Sequence, residues 1–279
     1  MPMDKIGFIG TGSMGSILIE ALLSAKALSP SQMIITNRTI EKAEQLAKRL
    51  GGLAVAHSNA DLAREAHIIV LCVKPLEYSE LLAQLAPALT EEHLFITITS
   101  PIKLEHLESK VPCAIARVVP SITNAAQSGV SLCEFGSRVS EEQRHYIRNL
   151  FAHISTPVEI SEPFLRITSD IASCGPAFLS YILQQMIQDA VEETNISPEA
   201  ATYLTSQMLI GVADLLREEK FTLPSLQQRV CVPGGITGEG LIPLQSKFPG
   251  IFREVFQRTR EKFSEDQELL DRYMKEQPR

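Results

Sequence analysis

Apolar positions fall into two regimes along the chain. Through its first ~160 residues, short apolar runs alternate with segments whose apolar residues recur at helical spacing, and from Glu162 onward only the helical spacing continues. Ile6 to Ile9 is the first run. It passes directly into Gly10, Gly12 and Gly15, and Met14, Ile17, Leu18, Ala21 and Leu22 then share one helical face, so strand, tight turn and helix follow one another. Ile34 to Thr36 predicts a second strand, followed by a helix with Ala43, Leu46, Ala47 and Leu50 on one side and stopped by Gly51 and Gly52. His67 to Val73 is too short for most helices and almost wholly apolar, as a central strand buried on both faces must be. Leu94 to Thr99 and Cys113 to Val118 predict further strands, Ser140 to Ala152 a helix, and Pro157 to Ile160 a last short strand. This alternation is the pattern of a doubly wound parallel sheet in an α/β fold of the Rossmann type.

Beyond the sheet, Pro163 to Cys174 and Pro176 to Asn195 predict two helices that meet at a break around Gly175, with Pro176 at a first helical position. Ser197 and Pro198 open a helix reaching about Glu219, Pro224 to Cys231 gives a shorter one, and a closing helix carries Phe252, Val255, Phe256 and Phe263. The predicted organisation is therefore a dinucleotide-binding domain over 1–161 and an all-helical domain over 162–279. Tyr203, Met208, Leu209, Val212, Leu215 and Leu216 are too many apolar residues for a single solvated face. They are accounted for either by burial against a second subunit or by a self-contained helical core.

Composition narrows the function classes. A chain of 279 residues with 44% hydrophobic content can bury a large core, and its net charge of −7 opposes binding to nucleic acid or to an anionic membrane surface. No apolar run approaches the ~18 residues of a membrane span. The glycine turn at Gly10 leaves no room for a signal peptide, so a cytoplasmic protein is expected. Five cysteines, odd in number and without a CxxC pair, predict reduced thiols with neither a disulfide framework nor a zinc site.

The candidate chemistry begins at the turn Gly10-Thr11-Gly12-Ser13-Met14-Gly15. In such a turn the first glycine permits the bend, the second lets a pyrophosphate reach the backbone, and the third lets helix pack on strand, while the helix N-terminus attracts the anion. The second strand ends in Asn37, Arg38 and Thr39, without the acidic residue that holds a ribose 2′-hydroxyl, and an arginine there suits a 2′-phosphate. NADP is therefore the expected cofactor, with NAD admitted, and the plain alternative is that Arg38 is a solvated turn residue. Val73, Lys74 and Pro75 end the central strand, where an open α/β sheet places its ligand. All six histidines lie at or before His153, and no lysine occurs between Lys110 and Lys220, so the helical half offers no ready proton-transfer group. It does offer Ser173, Thr237 and the N–H groups of Gly234 and Gly235, which can hold a carboxylate and hydrogen-bond a nitrogen. Hydride addition to an already protonated imine fits that limit. Alternatively, the two glycine segments are helix junctions and nothing more.

GFIGTGSMG, TNRT at 36–39, VKP at 73–75, SCGPAF at 173–178 and PGGITG at 233–238 together resemble the pyrroline-5-carboxylate reductase family across nearly the whole chain. ITITSP at 96–101, VPSIT and VPGGITGEG are most similar to a competence-related branch of that family. The resemblance implies reduction of 1-pyrroline-5-carboxylate to proline with NAD(P)H, and a Rossmann domain followed by helices intertwined in a homodimer or higher homo-oligomer. It implies a phosphate turn at Gly10, Gly12 and Gly15, a 2′-phosphate loop at Asn37 to Thr39, and a substrate loop in which Pro233, Gly234, Gly235 and Ile236 bind the carboxylate and Thr237 orients the imine. Departures accompany the matches. Val232 stands where the family has a serine that meets the substrate carboxylate, Ser121 replaces an asparagine, Ser100 and Pro101 replace Ala-Gly, and Cys174 replaces a serine. Glu239 adds a carboxylate best read as a first-turn charge on the next helix dipole. Three readings stay open: the family's reductase, a non-catalytic NADP-binding regulatory paralogue, and an imine reductase acting on another substrate.

Overall fold

The computed structural model describes residues 5–276, so the outermost ends of the two expected domains, 1–4 and 277–279, lie outside the described residues. Eight strands form one sheet in the order β3-β2-β1-β4-β5-β6-β7-β8. They are β1 (Ile6–Ile9), β2 (Met33–Thr36), β3 (Ala54–Val55), β4 (Ile68–Leu71), β5 (Leu94–Thr97), β6 (Ala114–Val119), β7 (Val130–Phe135) and β8 (Thr156–Glu159). Alternation along the buried strands sends Val70 and Phe8 to one apolar layer and Ile69, Leu71 and Ile9 to the other, each covered by helices. Strand order reverses between β1 and β4, which pair in parallel with Ile9 opposite Leu71. A crevice at the carboxyl ends of those two strands is where such a sheet takes its ligand.

Two features depart from the expected wholly parallel sheet. β3 is only two residues long at the sheet edge, too short to leave a pattern in the sequence. β7 runs antiparallel to β6, with Arg117 opposite Glu134. Arg117 is fully buried and ion-pairs with Glu134, while its Nε and Nη2 donate to the carbonyls of Thr99 and Ile102. Burial lowers the Arg117 guanidinium and raises the Glu134 carboxyl from their ordinary ranges, and each charge opposes the other's shift. Removing Glu134 alone would leave the buried Arg117 charge without its counter-ion, a loss of about 3–5 kcal/mol.

The expected break at Gly175 is absent. Leu165–Ser169, a π-helical turn over Asp170–Cys174 and Gly175–Thr194 run on as one continuous helix, and Gly175 itself has helical φ −49 and ψ −41. Pro176 lacks an N–H and crowds the carbonyl four residues back, which normally ends or kinks a helix. Here the wider π turn accommodates the ring. The Ala172 carbonyl, which Pro176 cannot serve, accepts instead from the buried Ser121 hydroxyl at 2.8 Å.

The later helices follow their caps: Ser197 accepts from the Ala200 N–H to open Pro198–Arg217, and Thr222 accepts from the Ser225 N–H to open Leu223–Val230. Ile236–Lys247 and Ile251–Glu276 complete the chain, and no strand follows β8 among the described residues. By compactness there are two units. One holds the sheet through Pro176 together with the chain from Arg258 onward, and the other is Ala177–Gln257. The second unit has little core of its own, since Ala201 is the only buried hydrophobic residue in it.

Candidate functional site

Within the first unit, the glycine turn leaves β1 at the carboxyl end of the sheet. Gly10 has φ +100, and a Cβ there would lie 2.6 Å from the Cys72 carbonyl oxygen beyond the end of β4. At Gly15 a Cβ would lie 2.1 Å from the Gly10 carbonyl oxygen, so helix and turn meet backbone to backbone. Gly12 differs, because a Cβ there would meet nothing within 4 Å and its φ of −71 suits any residue. The protein itself does not require a glycine at that position, whereas a group resting on the backbone would. Gly12 caps the helix Ser13–Ser24, which has neither an acidic residue in its first turn nor a side-chain cap, so its first N–H groups remain directed outward. Beside it, the Thr11 hydroxyl is buried without a hydrogen-bond partner. A diphosphate fits this arrangement on each count: open backbone, unneutralised helix end and an orphaned donor.

The end of β2 is tied to that turn. Asn37 accepts the Thr11 N–H through Oδ1 at 3.1 Å and donates through Nδ2 to the Thr39 carbonyl at 3.0 Å, so its role is to couple the two loops. Thr39 caps the helix Ile40–Arg49. Arg38 projects into solvent, and its Nη1 lies 2.8 Å from Glu77 Oε1. Glu77 Oε2 also accepts the Lys74 N–H at 3.0 Å, capping the short 3₁₀ turn Pro75–Glu77. Val73, Lys74 and Pro75 thus follow β4, which ends at Leu71 rather than Val73, beside the Gly10 turn, and Glu77 joins the group without having been anticipated. Its partner lies in a separate loop, so no local spacing announces it.

Tyr78 is likewise unforeseen. Its buried hydroxyl bonds with Thr97 Oγ1 at 2.6 Å and donates to Thr99 Oγ1 at 3.1 Å, and burial pushes its pKa up to about 12. Burial also pushes the Cys72 thiol up to about 12, which makes it inert at neutral pH. Ser173 belongs to this unit as well. Its hydroxyl donates to the Pro120 carbonyl at 2.5 Å and so retains only acceptor capacity. Together with the bond from Ser121 to Ala172, this anchors the π turn to the segment that follows β6.

The remaining candidates lie in the second unit. Val232, Pro233, Gly234 and Gly235 form a turn in which Gly235 N–H donates to the Val232 carbonyl at 3.0 Å and Gly234 takes φ +73. Proline followed by a positive-φ glycine is the sequence requirement of a type II turn. The helix Ile236–Lys247 starts directly afterwards with Gly235 as its N-cap. Gly235 therefore spends its N–H inside the turn, contrary to its expected part as an anion donor, and the outward donors begin with Ile236 and Thr237. Thr237 is exposed, Val232 is 58% exposed and Ile236 is 92% exposed. Glu239 falls in the first turn of that helix, where its charge complements the dipole. The described residues contain no cluster of metal-ligating side chains, and all five cysteines are free.

A glycine turn at the switch point of a largely parallel sheet, continued into a helical region, defines the class of Rossmann-type dinucleotide-binding proteins to which NAD(P)-linked oxidoreductases belong. Residues 5–101 match the family described as NADP oxidoreductase, coenzyme F420-dependent, and residues 162–266 match pyrroline-5-carboxylate reductase dimerisation. The chain is 49% identical to ComE operon protein 4 of Bacillus subtilis (strain 168), over 94% of this chain and 96% of that protein. It is 29% identical to pyrroline-5-carboxylate reductase 3 of the same organism, over 94% and 96% of the two. The crystal structure of a Plasmodium falciparum pyrroline carboxylate reductase with NADP bound superposes with a TM-score of 0.80 at 25% identity, covering 96% of this chain and 98% of that one. The chain belongs to the pyrroline-5-carboxylate reductase family. No helix among the described residues is long and apolar enough to cross a membrane.

Proposed function

We propose that this protein is a cytoplasmic NADP-linked reductase that reduces the C=N bond of 1-pyrroline-5-carboxylate to give L-proline. The observation that carries the reading is Gly12, a glycine that nothing in the chain requires, at the open N-terminus of a helix in a fold whose solved relative holds NADP. Gly10 to Gly15 would cradle the diphosphate, Arg38 the 2′-phosphate, and Val73, Lys74 and Pro75 the nicotinamide side. Bound there, the reduced nicotinamide supplies the hydride. The chain's own contribution is to orient the acceptor. N–H groups at the start of helix Ile236–Lys247 hold the substrate carboxylate, and the Thr237 hydroxyl hydrogen-bonds the imine nitrogen, which already carries its proton and needs no strong acid. Ser173, its hydrogen already committed to Pro120, can only accept from the substrate.

We take the domain boundary at 161/162, a reading supported by the end of the last strand at Glu159 and the start of the dimerisation match at 162, while compactness divides the chain later, after Pro176. The working form is a homodimer or higher homo-oligomer. Leu179, Tyr181, Met186, Tyr203, Leu204 and Met208 are all at least 44% exposed in the single chain, on helices whose compact unit buries almost nothing. Fully burying an exposed apolar side chain contributes ~1.5–3 kcal/mol, and covering the remaining exposed half of each of these contributes about half as much. Free thiols suit a reducing compartment.

Val232 favours a second reading, a non-catalytic NADP-binding regulator, because it removes a hydroxyl at the substrate carboxylate. An imine reductase with a different substrate is the third. Val232 is exposed, so Val232→Ser should fold normally, and a restored hydrogen bond to a charged group contributes roughly 1.5–3 kcal/mol. A working pocket then predicts a rise in kcat/KM for 1-pyrroline-5-carboxylate of ~10-fold or more in Val232→Ser, and a fall in Thr237→Ala. If neither change moves turnover while NADPH still binds, the regulatory reading replaces the enzymatic one.

A further inference from the structure

The pairing of Arg38 with Glu77 bears on which cofactor the site prefers. Sites that take NAD present a carboxylate to the ribose 2′-hydroxyl from the end of the second strand, and sites that take NADP present an arginine to the 2′-phosphate. The end of β2 carries only the arginine. Glu77, from the turn after β4, brings a carboxylate to the same place, its Oε1 2.8 Å from Arg38 Nη1. This carboxylate is not free to swing away, because Oε2 is held by the Lys74 N–H at 3.0 Å and the group is only 33% exposed, against 87% for Arg38. A 2′-phosphate held by Arg38 therefore shares that guanidinium with a fixed negative charge, whereas a 2′-hydroxyl meets a hydrogen-bond acceptor.

We propose that Glu77 is a specificity-determining residue of the cofactor site, lowering affinity for dinucleotides phosphorylated at the 2′ position and bringing NADH close to NADPH. The inference rests on the assignment of Arg38 to the 2′-phosphate and adds the residue that tempers it. Arg38 is mostly solvated, so the repulsion is partly screened and the effect is a matter of several-fold.

The test is equilibrium titration of the full-length chain with NADPH and with NADH, followed by cofactor fluorescence, for the wild type, Glu77→Gln and Arg38→Ala. Glutamine keeps an oxygen to accept the Lys74 N–H and removes only the charge, and unchanged thermal melting confirms that the fold is retained. The expected result is an NADPH Kd at least threefold lower in Glu77→Gln with no lowering of the NADH Kd, a difference that shrinks as salt is raised. Glu77→Gln leaving NADPH unmoved, or tightening both cofactors alike, overturns the inference, and it leaves the 2′-phosphate assignment standing if Arg38→Ala weakens NADPH alone. Equal loss of both cofactors in Arg38→Ala removes that assignment and the inference with it.

Discussion

Gly10, Gly12 and Gly15 share one motif and are glycine for different physical reasons, so their alanine variants should fail in different ways. At Gly15 a Cβ would press on the Gly10 carbonyl at 2.1 Å, and backbone cannot yield as a flexible side chain does. Gly15→Ala should therefore lose at least ~2 kcal/mol in urea unfolding. Gly12 faces open space, and the loss from alanine at a helix N-cap is below about 1 kcal/mol. Gly12→Ala should melt near the wild type and yet bind NADPH at least tenfold more weakly in titration. Equal folding stability for the two variants would contradict the assignment of the Gly12 space to a ligand. The sequence reveals this motif because strand, glycines and helix are contiguous. It does not reveal Glu77, Tyr78 or the Arg117–Glu134 pair, since each acts through a partner brought close only by the sheet. A lone arginine in the apolar strand Ala114–Val119 and a glutamate in Val130–Phe135 were visible individually, but nothing in their spacing says they meet.

Elements were legible where one face or both had to be apolar. β1, β4, β5 and β6 lie within or one residue from the predicted runs, because a strand covered by helices on both sides can carry little else. β7 is not legible, because Ser131 and Glu134 interrupt its apolar positions and its place depends on antiparallel pairing with β6. The Gly175-Pro176 pair reads locally as a helix end, and the structure overrides it with a π turn and a hydroxyl from Ser121 in a distant segment. That hydroxyl is worth testing as a structural part. Ser121→Ala leaves the part-buried Ala172 carbonyl without that donor and should lose about 0.5–1.5 kcal/mol of stability by urea denaturation. The loss should be smaller in a Pro176→Ala background, where an N–H becomes available. Identical losses in both backgrounds would separate Ser121 from the missing donor of Pro176.

For the whole molecule, two of the sequence's expectations depend on what covers the helical unit. A chain whose residues 177–257 bury only Ala201 among their hydrophobic side chains does not sustain that unit alone, which favours the intersubunit explanation of the apolar excess over a self-contained core. Sedimentation at micromolar concentration should give at least a dimer, and a stable monomer would leave those faces without a physical account. The same consideration applies to the proposed chemistry: Val232, Ile236 and Thr237 are exposed in the single chain, so on that reading their environment in the assembly would set the substrate pocket. Whether that pocket still works is the central question, and it is answered most directly by following NADPH oxidation by the wild-type protein with 1-pyrroline-5-carboxylate, alongside titration of NADPH alone. Saturable NADPH consumption with stoichiometric proline formation is the predicted result. Tight NADPH binding with no proline formed at any substrate concentration would contradict it and identify the protein as a cofactor-binding relative that has lost the reaction.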